Sequence, residues 1–126
     1  MFLTSLHCVQ VSPDEWELAE DFKYASKLLD RVIVVPKGFR FDFASVPRLP
    51  LMYAVFGNTA HKAATVHDWL YTSKQHPDST PDRPIYVNRK TADAIFEEAC
   101  KCELPSWKAT LMWLGVRMGG SGPWRA

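Results

Sequence analysis

The sequence lacks any apolar run that approaches the roughly 20 residues of a transmembrane helix, so we expect no membrane-spanning segment. Its N-terminus also lacks a basic stretch followed by a hydrophobic one, which argues against a secretion signal. An excess of either charge is missing too, because 15 Lys and Arg residues balance 14 Asp and Glu residues. Proteins that bind nucleic acids usually carry a basic excess, so we expect no nucleic-acid partner.

Cysteine is scarce, with three residues at positions 8, 100 and 102. An odd number of cysteines without a secretion signal favours free thiols and synthesis in a reducing compartment. A zinc site that joins Cys100 and Cys102 to His7 or Cys8 is an alternative use of these thiols. We therefore expect a cytoplasmic site of synthesis and no disulfide framework.

The composition is that of a globular protein. Apolar residues make up 47% of the 126 residues and charged residues 23%, which is too apolar and too balanced for a disordered chain. A chain of this length forms one domain by default. We predict a single domain over residues 1–126, with a β-rich part over 1–45 and a helical part over 50–119.

Alternation of apolar with other residues marks the first third of the chain as a small antiparallel sheet. The β-branched run at residues 31–35 is typical of a strand that is buried on both faces. The predicted strands cover residues 3–11, 16–19, 22–25, 31–35 and 39–43.

The period changes after residue 50, where helical spacing and capping residues replace alternation. Asn58 or Thr59 is suited to cap a helix that carries His67, and Asn88 is suited to cap a helix over residues 89–102. Pro105 fits the first turn of a last helix, which a glycine pair at 119–120 would end. A stripe on this helix is predicted to face the core, namely Trp107, Leu111, Leu114 and Met118. The fold class is therefore α+β, with an N-terminal antiparallel β-sheet packed against three main α-helices.

A cluster of groups that can carry chemistry lies in the first of these helices. His67 and Tyr71 are four residues apart and so share one face, whereas Asp68 is turned by about 100° from His67. Asp93 lies near the start of the next helix, from which an antiparallel neighbour can present a carboxylate to the imidazole. A carboxylate that holds one imidazole nitrogen fixes the tautomer and makes the other nitrogen a better base.

Two further acids suggest a metal. Asp42 lies at the end of the last predicted strand, just before a loop, where it can meet Asp68 around a hard cation. Oxygen ligands of this kind suit Ca²⁺, with Mg²⁺ as the second choice. We therefore predict Asp42 and Asp68 as metal ligands.

The pattern from His67 to Tyr71, followed by Asp93 to Phe96, resembles the two-helix core of secreted phospholipase A2. The segment from Asp42 to Ser45 is similar to the calcium-loop segment of the bacterial and fungal branch of that family. The resemblance implies that His67 activates a water molecule, that Asp93 orients His67, and that Tyr71 is bonded to Asp93. It further implies calcium ligation by Asp42 and Asp68 and an ester substrate, above all a lipid.

A second resemblance covers nearly the whole chain. Four segments resemble a family of small phage and prophage proteins known as domain of unknown function 1353; they cover residues 35–39, 42–48, 67–71 and 92–96. This resemblance implies a phage origin but supplies no activity. In the absence of a secretion signal we expect synthesis in the cytoplasm of a bacterial host, and a calcium site, which would need more Ca²⁺ than the cytosol offers, suggests a place on the virion.

Two other interpretations stay open. His61, together with His67, Asp68 and Asp93, imitates the ligand set of metal-dependent phosphohydrolases. The other interpretation is not enzymatic: the chain is a virion structural component or a tail or assembly component that contacts other virion proteins, and the polar cluster only pins the helices to the sheet. In that case Trp124 and the glycine-rich tail are the natural contact surface.

Overall fold

The computed structural model describes residues 1–13, 15–41, 61–119 and 124. Antiparallel strands come first in this part of the chain and helices follow, so the predicted α+β class is confirmed. The described strands are β1 (Cys8–Ser12), β2 (Glu15–Leu18), β3 (Phe22–Ser26), β4 (Arg31–Val35) and β5 (Arg40–Phe41). The described helices are α1 (His61–Ser73), α2 (Arg89–Cys100) and α3 (Ser106–Gly119). Asp42 and the predicted caps Asn58 and Thr59 lie outside the described residues.

The described strands form two sheets where the alternation suggested one. The first has the order β1-β2-β5, and the second is the antiparallel pair of β3 and β4, in which Tyr24 lies opposite Ile33. The turn between β3 and β4 ends at Asp30, whose φ of 53° is a left-handed conformation that Asp tolerates better than most residues. Val32 and Val34 are exposed, so the prediction that this strand is buried on both faces is wrong. The helices cover one face of the pair, and alternate residues of β4 therefore stay at the surface.

The helices pack in chain order, α1 against α2 and α2 against α3. The side chain of Asn88 accepts a hydrogen bond of 2.7 Å from the backbone N–H of Thr91, so the predicted cap of α2 is confirmed. On the sheet side, α1 contacts β4 and β5, while α2 contacts β3. None of the described helices has the length and apolar character that crossing a membrane requires.

The orientation of α3 differs from the prediction. Its buried residues are Ala109, Met112 and Val116, which form the side turned toward α2. The predicted core stripe, namely Trp107, Leu111, Leu114 and Met118, is exposed. This helix has two apolar faces, and because the face with Ala109, Met112 and Val116 packs on α2, the other face stays exposed.

Candidate functional site

The contact between α1 and α2 brings His67 against Asp93. The Nε2 atom of His67 lies 2.8 Å from Oδ1 of Asp93. The side chains of His67 and Asp93 are 1% and 0% exposed, respectively. The ring of Phe96, one turn beyond Asp93, packs against the imidazole with 4.7 Å between the ring centroids. A charged acid and an imidazole are therefore both buried, and each needs a hydrogen-bonding partner there.

Tyr71 completes the contact from the same face of α1. Its hydroxyl donates a hydrogen bond of 2.5 Å to Oδ1 of Asp93, the oxygen that also binds His67. The two rings of α1 lie side by side, with 4.1 Å between their centroids. The spacing of four residues puts both donors in reach of one carboxylate oxygen. The structure thus assembles His67, Tyr71 and Asp93 in one cluster.

The other oxygen of Asp93 faces two arginines that the sequence analysis did not single out. Nη1 of Arg117 donates a 2.9 Å hydrogen bond to Oδ2, and Nε of Arg89 lies 3.8 Å from the same atom. Arg89 also donates to the backbone carbonyls of Val116 and Arg117, the end of α3. Arg89 stands four residues before Asp93 on α2, a local signal that could have identified it. Arg117 had no comparable signal, because only the packing of α3 brings it to Asp93.

Burial and the neighbouring side chains together determine the charge states of Asp93 and His67. Burial by itself would raise the pKa of Asp93, but hydrogen bonds from His67, Tyr71 and Arg117 outweigh it and hold the pKa below its ordinary value. Burial lowers the pKa of His67, and Arg89 adds to this effect, although Asp93 opposes it. Burial outweighs the attraction of Asp93, so the imidazole of the resting protein is neutral. A neutral His67 donates from Nε2 to the carboxylate, and the lone pair of the imidazole is then on Nδ1.

Tyr71 stays protonated in this setting. Burial and the hydrogen bond to Asp93 both raise the pKa of the phenol. The phenol is therefore a donor to Asp93 and not a base. This fits a role in which Tyr71 holds the carboxylate in place.

Trp124 covers the outer side of the cluster. Its ring packs edge-on against Tyr71 at a centroid distance of 5.1 Å, and Nζ of Lys74 lies 4.9 Å from the Trp124 ring centroid. A cation in this position is attracted by the electron-rich face of the indole. Only the non-enzymatic interpretation made Trp124 a surface contact, and in the structure it is half-buried against the candidate site.

The predicted metal ligands fall partly inside the described structure. Asp68 is half-buried on α1, next to His67, whereas Asp42 lies outside the described residues. Over residues 1–13, 15–41, 61–119 and 124, no three His, Cys, Asp or Glu side chains are grouped so that they could hold a metal ion. The alternative zinc set of Cys100, Cys102 and His7 or Cys8 is thus not assembled, nor is the phosphohydrolase set that includes His61. Of the two predicted calcium ligands, Asp68 is the one that lies in the described part of the chain.

Comparison with known proteins identifies a family for this chain. The profile of DUF1353, described as a protein of unknown function, matches residues 16–116, a span that begins at the second residue of β2 and includes His67, Tyr71 and Asp93. No curated protein and no solved structure matches the chain.

Proposed function

This chain belongs to the DUF1353 family of proteins of unknown function, and we propose that it is a metal-assisted hydrolase of ester substrates in which His67 is the general base. The observation that carries the proposal is the hydrogen bond between Nε2 of His67 and Oδ1 of Asp93, with Tyr71 on the same oxygen. An imidazole oriented by a buried carboxylate is a recurring arrangement for activating water.

The protein groups have defined parts in the proposed reaction. Nδ1 of His67 takes a proton from water, and the water oxygen forms a bond to the ester carbonyl carbon. When the tetrahedral adduct collapses, the bond to the leaving alkoxide breaks and the alkoxide takes the proton from the imidazolium. Asp93 stays ionised throughout, since Arg117 and Arg89 lie against its other oxygen, and it stabilises the imidazolium.

Calcium is part of the proposal, with Asp42 and Asp68 as its carboxylate ligands. A bound calcium ion would polarise the ester carbonyl and stabilise the developing oxyanion. Asp68 supports this assignment by its position next to His67 on α1. Extracellular-type calcium sites bind only at about 10⁻⁴–10⁻³ M. We therefore expect activity outside the host cytoplasm, on a virion during entry, with lipid esters as the preferred substrate.

The test is release of fatty acid from mixed micelles of phosphatidylglycerol and a neutral detergent, with calcium, magnesium or a chelator. We expect the wild-type protein to hydrolyse the lipid in calcium and to lose activity in the chelator. His67→Asn is expected to lower kcat by about 10²–10⁴-fold, the usual contribution of a general base. The matched control is His76→Asn, which makes the same change outside the proposed site. His76 lies in the loop between α1 and α2, where its Nδ1 accepts a hydrogen bond from the backbone N–H of Asp78.

The near-complete burial of His67 favours a second candidate, a non-enzymatic component of a phage particle. In that role the cluster only joins the three helices, and partners bind elsewhere on the surface. The second candidate predicts no ester hydrolysis in either metal, no shift of the melting temperature by calcium or magnesium, and a lower melting temperature for His67→Asn. The hydrolase predicts instead ester hydrolysis and stabilisation by calcium, and a His67→Asn variant that has lost its activity at temperatures at which it is still folded.

A further inference from the structure

Helix α3 exposes a regular row of large apolar side chains. Trp107, Leu111, Leu114 and Met118 are 61%, 39%, 45% and 78% exposed, respectively. The opposite side of the helix, with Ala109, Met112 and Val116, packs on α2. A surface helix usually has one apolar stripe and a polar face, so a second stripe indicates a second contact.

We propose that this stripe, residues 107, 111, 114 and 118, is the docking surface for α3 of a second copy of the chain. The intervals of four, three and four residues are the repeat of a two-helix seam, in which alternate intervals keep the apolar row facing a partner helix. A twofold contact between two copies of one helix needs only that the surface be complementary to itself. The stripe fulfils this condition because its four large residues can interdigitate with the same four residues of the other copy.

The charges beside the stripe favour an antiparallel pair. In that arrangement Leu111 meets Leu114 of the second copy, and Lys108 flanks Gly115 of the second copy. The two Lys108 residues then lie at opposite ends of the contact. Antiparallel helices also bring unlike ends of the two helix dipoles together, whereas a parallel pair would put like ends side by side.

Arg117 adds no like-charge repulsion to this contact, because it donates a hydrogen bond to Asp93 of its own chain. It would flank Thr110 of the second copy. Because this ion pair engages the charge of Arg117, an anionic lipid surface is a less suitable partner for the stripe than a second copy of the chain. Lipid-binding helices carry clusters of Lys and Arg beside the apolar face, whereas α3 has two such residues: Arg117, which binds Asp93, and Lys108, whose Nζ lies 5.4 Å from the ring centroid of Trp107.

Sedimentation velocity over a series of protein concentrations tests the proposal on the full chain. We expect a concentration-dependent dimer, and we expect Leu114→Lys to weaken it by at least about tenfold in Kd, since a buried charge would face the second copy. Tyr86→Lys is the matched control, as it places the same charge on an exposed aromatic residue away from α3 and leaves the dimer intact. Melting curves of both variants should match the wild type, because both positions are exposed.

Crosslinking tests the orientation of the helices. In a Cys102→Ser background, Leu111→Cys mixed with Leu114→Cys should form a disulfide-linked pair faster than either variant alone. A wild-type protein that stays monomeric at every concentration would overturn the proposal, as would a Leu114→Lys variant that dimerises normally. Binding of the monomer to phosphatidylglycerol vesicles through the stripe would also overturn it and identify a lipid surface as the occupant. These outcomes do not depend on ester hydrolysis, so they are distinct from the failure of the proposed function.

Discussion

Arg117 of α3 and Asp93 of α2 form an ion pair of 2.9 Å in which the carboxylate is fully buried. The same carboxylate binds His67 and Tyr71 of α1 through its other oxygen. One side chain therefore connects all three described helices. The groups proposed for catalysis are also those that hold the helices together, so changes at this site are expected to affect both stability and activity.

Asp93→Asn tests the structural part of this role. The substitution keeps the size of the side chain but leaves Arg117 and Arg89 without their negative charge, and it replaces one acceptor oxygen by a donor NH₂ group. Breaking a buried ion pair costs about 3–5 kcal/mol, so we expect the free energy of unfolding to fall by that amount in denaturant titrations.

The control for Asp93→Asn is Asp78→Asn. Asp78 pairs with Arg31 at 3.1 Å, but both side chains are largely exposed. An exposed pair contributes about 0–1 kcal/mol, and the control should change little. Equal effects of the two substitutions would contradict the view that Asp93 is the central link of the helices.

Tyr71→Phe isolates the hydroxyl. The substitution removes the donor to Oδ1 of Asp93 and keeps the ring that packs against His67 and Trp124. A hydrogen bond to a charged group contributes about 1.5–3 kcal/mol, and we expect a loss of this size in the free energy of unfolding. Tyr86→Phe is the control, because Tyr86 is 68% exposed and should show almost no change. If both variants unfold at the same denaturant concentration, the Tyr71 hydroxyl does not stabilise the cluster.

The sequence predicted those features of the fold that depend on local spacing. Alternation of apolar residues separated strands from helices, and the four-residue interval placed Tyr71 beside His67. Asn88 was identified as a cap because capping depends on residues only three positions apart. In each of these cases the interacting groups lie on one element or at its end.

Local spacing could not predict which of two apolar faces of a helix or strand would be buried in the core. Spacing identified an apolar stripe at Leu111 and Leu114 but not that Ala109 and Met112 would pack on α2 instead. Similarly, the β-branched run of β4 did not indicate that Val32 and Val34 would stay exposed. Arg117 reaches Asp93 across 24 positions of sequence, and no local pattern marks such a contact.

The stability of the fold should depend on the protonation of His67. Burial holds the pKa of His67 below its ordinary value of 6.5, so below that pH the unfolded chain takes up a proton that the folded chain does not. The free energy of unfolding should therefore fall as the pH drops through about 6.5, by at most about 1.4 kcal/mol per pH unit for this residue. Denaturant titrations from neutral to mildly acidic pH measure the slope.

The control for this pH dependence is a pair of variants. His67→Gln should lose the part of the slope that comes from the imidazole, whereas His76→Gln should keep it. A slope that is the same in the wild type and in His67→Gln would mean that other groups cause the pH dependence. In that case His67 would not be held neutral by burial.

Glu98 links α2 to the β3–β4 pair and gives a prediction that is independent of the His67 cluster. Its Oε1 accepts a hydrogen bond of 2.6 Å from the hydroxyl of Tyr24. Its Oε2 accepts a hydrogen bond of 2.8 Å from the backbone N–H of Leu28, in the turn after β3. Both carboxylate oxygens of Glu98 thus accept a hydrogen bond, whereas the side-chain amide of a glutamine has only one acceptor oxygen. Glu98→Gln leaves one donor facing another, which costs about 1–3 kcal/mol. We expect a loss of this size in the free energy of unfolding, together with faster hydrogen exchange at the amide of Leu28.

Glu97→Gln is the matched control for Glu98→Gln, since it makes the same chemical change one residue earlier on α2. Glu97 lies 4.0 Å from Lys101 on the partly exposed side of the helix. A pair of this type contributes about 0.2–0.5 kcal/mol, so the control should unfold nearly as the wild type does. If Glu98→Gln leaves the exchange rate of Leu28 unchanged while lowering stability, the loss arises from helix α2 itself. The effect can be assigned to the link between helix and sheet only when the amide of Leu28 and the global stability change together.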